Sequence, residues 1–218
     1  MPDQNLTLYT YWRSSASYRV RMALNLKRLD YESRPVHLVR DGGEQYAADY
    51  TGLNPQQLVP TLVHGALALT QSLAILEYLE ETFPERPLLP ADAAGRARVR
   101  AIAQAIACEI HPLNNLRVLK YLTGPAGLDE NAKLAWYRHW TENGLAAVEK
   151  MLADSASGRF CHGNEPTLAD CCLLPQVYNA HRFECDLTGL DRITAICTEL
   201  ERLAPVRDAA PENQPDAA

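Results

Sequence analysis

Three prolines within seven residues, Pro84, Pro87 and Pro90, divide this 218-residue chain into two stretches of different pattern. Proline fixes φ and offers no backbone N–H, so neither a helix nor a central strand runs through such a segment. Strand and helix signals alternate before the prolines, and only helical signals follow them. The break predicts a mixed α/β domain over residues 1–83, a linker over 84–91, an all-helical domain over 92–211 and a short tail over 212–218.

Within the first stretch, Leu6, Leu8 and Thr10 alternate against Thr7, Tyr9 and Tyr11, the period of a strand. A polar run from Arg13 to Ser17 follows, and Val20, Ala23 and Leu24 then recur at helical spacing, with Arg19 and Arg21 between them. The serines therefore stand at a helix entrance. A second strand is expected over 31–38, a short helix over 44–50, and two strands over 60–69 joined at His64 and Gly65. Ser72 opens another helix, with Leu73, Ile75, Leu76 and Leu79 as its apolar face and Glu77, Glu80 and Glu81 solvating the other side.

Beyond the prolines, Asp92 is placed to cap a long helix through Arg98, Ile102, Ile106 and Ile110, with Pro112 as a kink or break. A second long helix is expected over 129–151. Thr167 and Asp170 have capping-box spacing, and the helix they open carries Leu168, Cys171, Cys172 and Leu174 at core positions and Pro175 as a bend. A last helix spans about 191–203, and the Ala- and Pro-rich segment after it has little to bury.

Composition narrows the function. Apolar residues make up 47% and charged residues 22%, enough hydrophobic side chain to build a packed core. Acidic residues outnumber basic ones by 27 to 21, a net charge of -6, which disfavours broad binding to nucleic acid or anionic membranes. No apolar run reaches membrane-spanning length, and the start of the sequence lacks a basic, apolar leader. The six cysteines show no disulfide framework, CxxC pair or closed zinc pattern, so reduced thiols in a cytoplasmic protein without a metal are expected.

Chemistry concentrates in the serine turn. A helix amino terminus carries unpaired N–H groups and partial positive charge, which suits an anion or a thiolate, although Ser14, Ser15 and Ser17 would also serve as simple caps. Pro60 after an apolar residue marks an edge or a cis bond and exposes the backbone of Val59 to pairing with a peptide-like ligand. Gln71 and Ser72 stand at the entrance of a further helix, where Ser72 would cap it or bind a carboxylate.

The run Arg13-Ser14-Ser15-Ala16-Ser17-Tyr18-Arg19-Val20-Arg21-Met22-Ala23-Leu24 resembles the signature of the zeta class of glutathione transferases, which includes isomerases of maleylacetoacetate and maleylpyruvate. Ala16 departs from it, replacing the class cysteine. Asn54-Pro55, Val59-Pro60-Thr61, Gln71-Ser72-Leu73-Ala74-Ile75, Leu174-Pro175-Gln176-Val177 and Arg182-Phe183 are similar to further blocks of the class, in order, from Leu8 to Pro215. The resemblance implies a thioredoxin-like α/β amino-terminal domain joined to an all-α carboxy-terminal domain, a homodimer, and glutathione as cofactor. It assigns thiolate stabilisation to Ser14 and Ser15. It gives glutathione binding to Gln45, Val59, Gln71 and Ser72, with His111 and Asn115 completing the site. The structural alternatives are that His111 caps a broken helical turn and that Asn115 satisfies a buried backbone group.

A small anionic cis-enedione substrate needs local positive charge in an acidic protein. Arg13, Arg117 and Arg182 are the candidates, and solvated surface arginines are their alternative. The reaction implied is addition of a soft thiolate to an activated cis double bond, rotation about the single bond so formed, and expulsion of the thiolate to leave the trans alkene. Glutathione is thereby regenerated. Thiolate substitution on small α-halo acids and a non-catalytic binding role on the same scaffold are the competing functions.

Overall fold

The computed structural model describes residues 5–217. Its strands and helices, in chain order, are β1 (Leu6–Thr10), α1 (Ser15–Lys27), β2 (Glu32–Pro35), α2 (Ala48–Leu53), β3 (Thr61–His64), β4 (Leu67–Thr70) and α3 (Ser72–Thr82). The helices α4 (Ala93–Gln104), α5 (Leu116–Thr123), α6 (Glu130–Met151), α7 (Leu168–Arg182), α8 (Asp191–Glu201) and α9 (Ala204–Asp208) follow. The chain forms two compact units. One takes everything up to Leu88 together with the segment from Glu201 onward, and the other is Leu89–Leu200.

In the first unit the sheet order is β2-β1-β3-β4. β1 runs parallel to β2 and antiparallel to β3, with Thr7 opposite both Glu32 and Val63, and β3 pairs antiparallel with β4. The parallel β1–α1–β2 crossover followed by an antiparallel hairpin and a helix is a thioredoxin-like arrangement. Leu8 and Leu62 on the sheet and Val20, Leu24, Ile75, Leu76 and Leu79 on α1 and α3 are fully buried. β3 is an interior strand, whereas Pro60 pointed to an edge. The proline lies just ahead of the strand and so removes no ladder hydrogen bond. β2 is shorter than expected, and the expected helix over 44–50 is a 3-10 turn at Glu44–Tyr46 followed by α2.

Glu80 does not solvate the outer face of α3. It is buried and paired at 2.7 Å with Lys27 of α1. Lys27 also donates to the Phe83 and Arg86 carbonyls, and Glu80 accepts from Leu88 N–H. A buried ion pair persists only when its remaining donors and acceptors are satisfied, and this one fastens the proline segment to both helices.

The end of the chain also differs from the expectation of an idle tail. Val206 and Ala209 are buried, as are Pro211 and Gln214. Asn25 of α1 donates to the Pro205 carbonyl, and Arg21 of α1 donates to the Ala209 carbonyl. Residues from 201 onward thus belong to the α/β unit and not to the helical one.

The second unit is all helical. Asp92 caps α4 by accepting from Gly95 N–H, and Thr167 with Asp170 forms the capping box of α7. The apolar residues expected to extend α4 continue instead in a π-helical turn, Ala105–Ile110, and a 3-10 turn, His111–Asn114. Gly144 of α6 lies directly against Ile110, in space that a Cβ would fill. Cys161, Cys171, Cys172 and Cys197 are buried, whereas Cys108 is exposed and Cys185 half-buried. Burial pushes the Cys161 thiol well above its ordinary range. No helix among the described residues is long and apolar enough to cross a membrane.

Candidate active site

The turn between β1 and α1 is fixed on all sides. Ser14 is the N-cap of α1, extended at φ -71° and ψ 120°, and its Oγ accepts from Ser17 N–H at 3.3 Å. The capping alternative is therefore what Ser14 does with a lone pair. Its O–H proton remains available to donate, and the partial positive charge of the helix start lies beside it. Ser14 is half-buried and Ser15 buried, which favours Ser14 as the group that meets a ligand. Ser17 is buried within the same turn.

Arg21, two turns along α1, reaches back to this turn. It donates to Thr10 Oγ1, to the Tyr11 and Trp12 carbonyls and to Ala209 O, at 2.8 to 3.3 Å. Burial lowers its pKa to about 10, and Tyr31 and Asp216 act in the opposite sense. Arg13 lies half-buried over the Trp12 ring, 5.1 Å from its centroid.

Val59 is buried and joined to Pro60 by a cis peptide. The Tyr50 hydroxyl and the Asn54 amide both bond to the Leu58 carbonyl and to Thr61 Oγ1, at 2.5 to 3.2 Å. These four contacts set the backbone on either side of Val59. Gln71 has φ +68°, a left-handed conformation costly for any residue but glycine, and its amide donates to Gln56 Oε1 at 2.7 Å. Ser72 follows as the first residue of α3, where Arg19 of α1 donates to its Oγ at 3.1 Å. The second turn of α1 is thus tied to the start of α3 through Arg19.

Gln45 is buried beside Gly43, with its amide nitrogen 3.5 Å from Leu38 O and its Oε1 meeting no donor among the described residues. A spare acceptor at Gln45, a Ser14 hydroxyl with a proton available to donate and two helix amino termini suit a peptide that carries N–H groups, carboxylates and an acidic thiol. These features fit glutathione.

His111, Asn115, Arg117 and Arg182 belong to the second unit. His111 begins the 3-10 turn and is half-buried. Asn115 is the N-cap of α5, its Oδ1 accepting from Arg117 N–H at 3.1 Å, an exposed contact and not the buried backbone group of the structural alternative. Arg117 lies exposed on α5, a separate helix beyond the break. Arg182 is exposed at the end of α7, donating to Asn179 Oδ1 and lying over the Phe183 ring. Sequence reasoning missed the roles of Arg19, Arg21, Tyr50 and Asn54. Two arginines flanking Val20 on a helix buried on both sides were the available signal, because a buried cation requires partners.

Residues 8–87 match the family model for the glutathione S-transferase N-terminal domain, and residues 135–208 match that for the C-terminal domain. A probable maleylacetoacetate isomerase from Vibrio cholerae is 52% identical over 98% of this chain and 99% of its own length. A maleylpyruvate isomerase from Ralstonia is 50% identical over 98% of this chain and 100% of its own length. The holo structure of a maleylpyruvate isomerase, a bacterial zeta-class glutathione S-transferase, superposes with a TM-score of 0.94 at 49% identity, over 97% of this chain and 100% of that one. A maleylacetoacetate isomerase from Methylobacterium extorquens, solved with bound malonate and glutathione, gives a TM-score of 0.93 at 40% identity, over 97% and 99% of the two chains. With both halves of the fold matched and the similarity running nearly end to end, the chain belongs to the zeta class of the glutathione transferases.

Proposed function

We propose that this protein is a glutathione-dependent cis–trans isomerase acting on maleylacetoacetate or maleylpyruvate in the breakdown of aromatic compounds. The observation that carries the reading is the Ser14 turn, which keeps a hydroxyl proton to donate at a helix amino terminus, in a chain about half identical to isomerases of these two substrates. When bound, glutathione supplies the thiolate that adds to the cis double bond and leaves once the bond has turned.

The chain's own residues hold charge. Ser14, supported by Ser15, donates to the sulfur and favours its ionised form, while the start of α1 adds its partial positive charge. Val59 offers backbone groups to the cysteinyl part, Gln71 and Ser72 receive the γ-glutamyl end, and Gln45 receives the glycyl end. His111 and Asn115 are assigned to the same ligand. Arg13, Arg117 and Arg182 are assigned to the carboxylates of the substrate, for which guanidinium forks are suited. The protein works as a cytoplasmic homodimer.

The decisive experiment follows loss of the cis-enedione absorbance for both maleyl compounds with substoichiometric glutathione. Many turnovers per glutathione are expected. Turnover without a thiol, or none with either compound, overturns the reading.

A further inference from the structure

Four of the contacts that shape the turn before Ser14 converge on two consecutive residues, Tyr11 and Trp12. Tyr11 O accepts from Ser14 N–H at 3.0 Å and from Arg21 at 3.3 Å. Trp12 O accepts from Arg21 at 2.8 Å. Trp12 N–H donates in the opposite direction, to Asp216 Oδ2 at 2.9 Å. The carboxylate comes from near the end of the sequence, 204 residues away, on a segment that Arg21 also grips at Ala209 O. Asp216 Oδ1 is buried and meets no donor among the described residues, so the Trp12 N–H is the hydrogen bond that holds this carboxylate.

Two residues past Trp12, Ser14 caps the helix. The Tyr11–Trp12 peptide plane is held at both its C=O, by Ser14 N–H and Arg21, and its N–H, by Asp216, and the next plane is held at Trp12 O, so together they set the direction in which the chain delivers Ser14 Oγ. Misplacing such a donor by a fraction of an ångström weakens a charge-assisted contact steeply, because geometry governs its strength.

We infer that Asp216 is a positioning residue for the thiolate turn: through its hydrogen bond to Trp12 N–H, the carboxy-terminal segment sets the placement of the Ser14 hydroxyl. The inference rests on the assignment of Ser14 to the glutathione thiol. Asp216 itself touches neither ligand nor substrate in this scheme.

The test compares the full-length wild type with Asp216→Ala, which removes the acceptor, and Asp216→Asn, which keeps one. In protein without ligand, amide exchange over residues 11–15 is expected to quicken about tenfold in Asp216→Ala, with exchange in the second unit and the thermal midpoint unchanged. With glutathione added, the pH at which the bound thiol ionises, read from thiolate ultraviolet absorbance, should rise in Asp216→Ala. In that variant kcat should fall about tenfold to a hundredfold at nearly constant KM for the maleyl substrate. Asp216→Asn should recover most of each effect. Unchanged exchange and thiol ionisation in Asp216→Ala overturn the inference, as does a general loss of stability with faster exchange throughout the unit. Wild-type protein that leaves the glutathione thiol at its free-solution ionisation overturns the functional assignment instead, and the exchange comparison then still decides whether Asp216 sets the turn.

Discussion

Arg19 Nη1 donates to Ser72 Oγ across 3.1 Å, so a side chain in the second turn of α1 holds the first residue of α3. Ser72→Ala removes an acceptor from a buried guanidinium and a donor from the site assigned to the γ-glutamyl end. Glutathione should bind about tenfold to a hundredfold more weakly, and folding stability should drop by about 1–3 kcal/mol. Calorimetric titration and urea unfolding measure the two effects separately. Unchanged affinity would remove Ser72 from the binding site.

Ser14→Ala should lower kcat about tenfold to a thousandfold, with a smaller effect on glutathione affinity. Loss of the N-cap should cost about 1 kcal/mol of stability as well. Ser15→Ala should do less to the rate, since Ser15 is buried. The ionisation of bound glutathione distinguishes the roles: if neither substitution moves it, neither serine stabilises the thiolate.

Ala16 lies half-buried in the first turn of α1, and a methyl group neither ionises nor forms an adduct. The nucleophile assigned here is the glutathione thiol, so Ala16→Cys should change glutathione affinity only modestly and should give no turnover without glutathione. Activity of that variant in thiol-free buffer would show that a protein thiol at this position performs the addition.

Asp154 is gripped by Arg98 through both carboxylate oxygens at 2.8 Å, and Arg98 also holds Cys161 O and Ser157 Oγ. The Arg98 hydrogen bonds hold the Asp154 carboxyl below its usual range. A carboxylate whose folded pKa is depressed contributes stability above its unfolded value, about 3.9, and loses it as pH falls through the folded value. Urea midpoints should therefore decline below about pH 4, and in Asp154→Asn that acid-side decline should be shallower. Identical pH profiles for the two proteins would contradict the assignment.

Gly144 faces Ile110 without room for a Cβ. Gly144→Ala should push α6 away from the π-helical turn and lower stability by about 1–3 kcal/mol in spite of alanine's better helix propensity. Thermal or urea unfolding reads the change, and a stabilised variant would mean that Ile110 moves aside freely.

The parts legible in the sequence were those decided by neighbouring residues. The serine run starting α1, Asp92 ahead of α4 and the Thr167–Asp170 box all act within one helical turn, so their chemistry is written in consecutive positions. The fate of Glu80 was not, because its partner Lys27 lies 53 residues away and spacing alone makes it a solvated glutamate. The π-helical turn was hidden because Ile102, Ile106 and Ile110 keep an ordinary helical period. The space left by Gly144 on another helix accompanies the departure. Most of the site blocks were legible as family motifs. The scaffolding behind them, Arg21 to Ala209 and Asp216 to Trp12, depends on contacts about two hundred residues apart in sequence and leaves no local pattern.

The return of the chain to its first unit also sets an order of assembly during synthesis. Strands β1 to β4 emerge early, yet Ala209 and Asp216 are translated only after the whole of Leu89–Leu200. At about 5–20 residues per second, that delay is on the order of ten seconds. During it the Arg21 cation lacks one of its carbonyl partners and the Trp12 amide lacks its acceptor. The nascent α/β unit is therefore chemically incomplete while it waits, and competence for the serine turn arrives only once Ala209 and Asp216 have emerged.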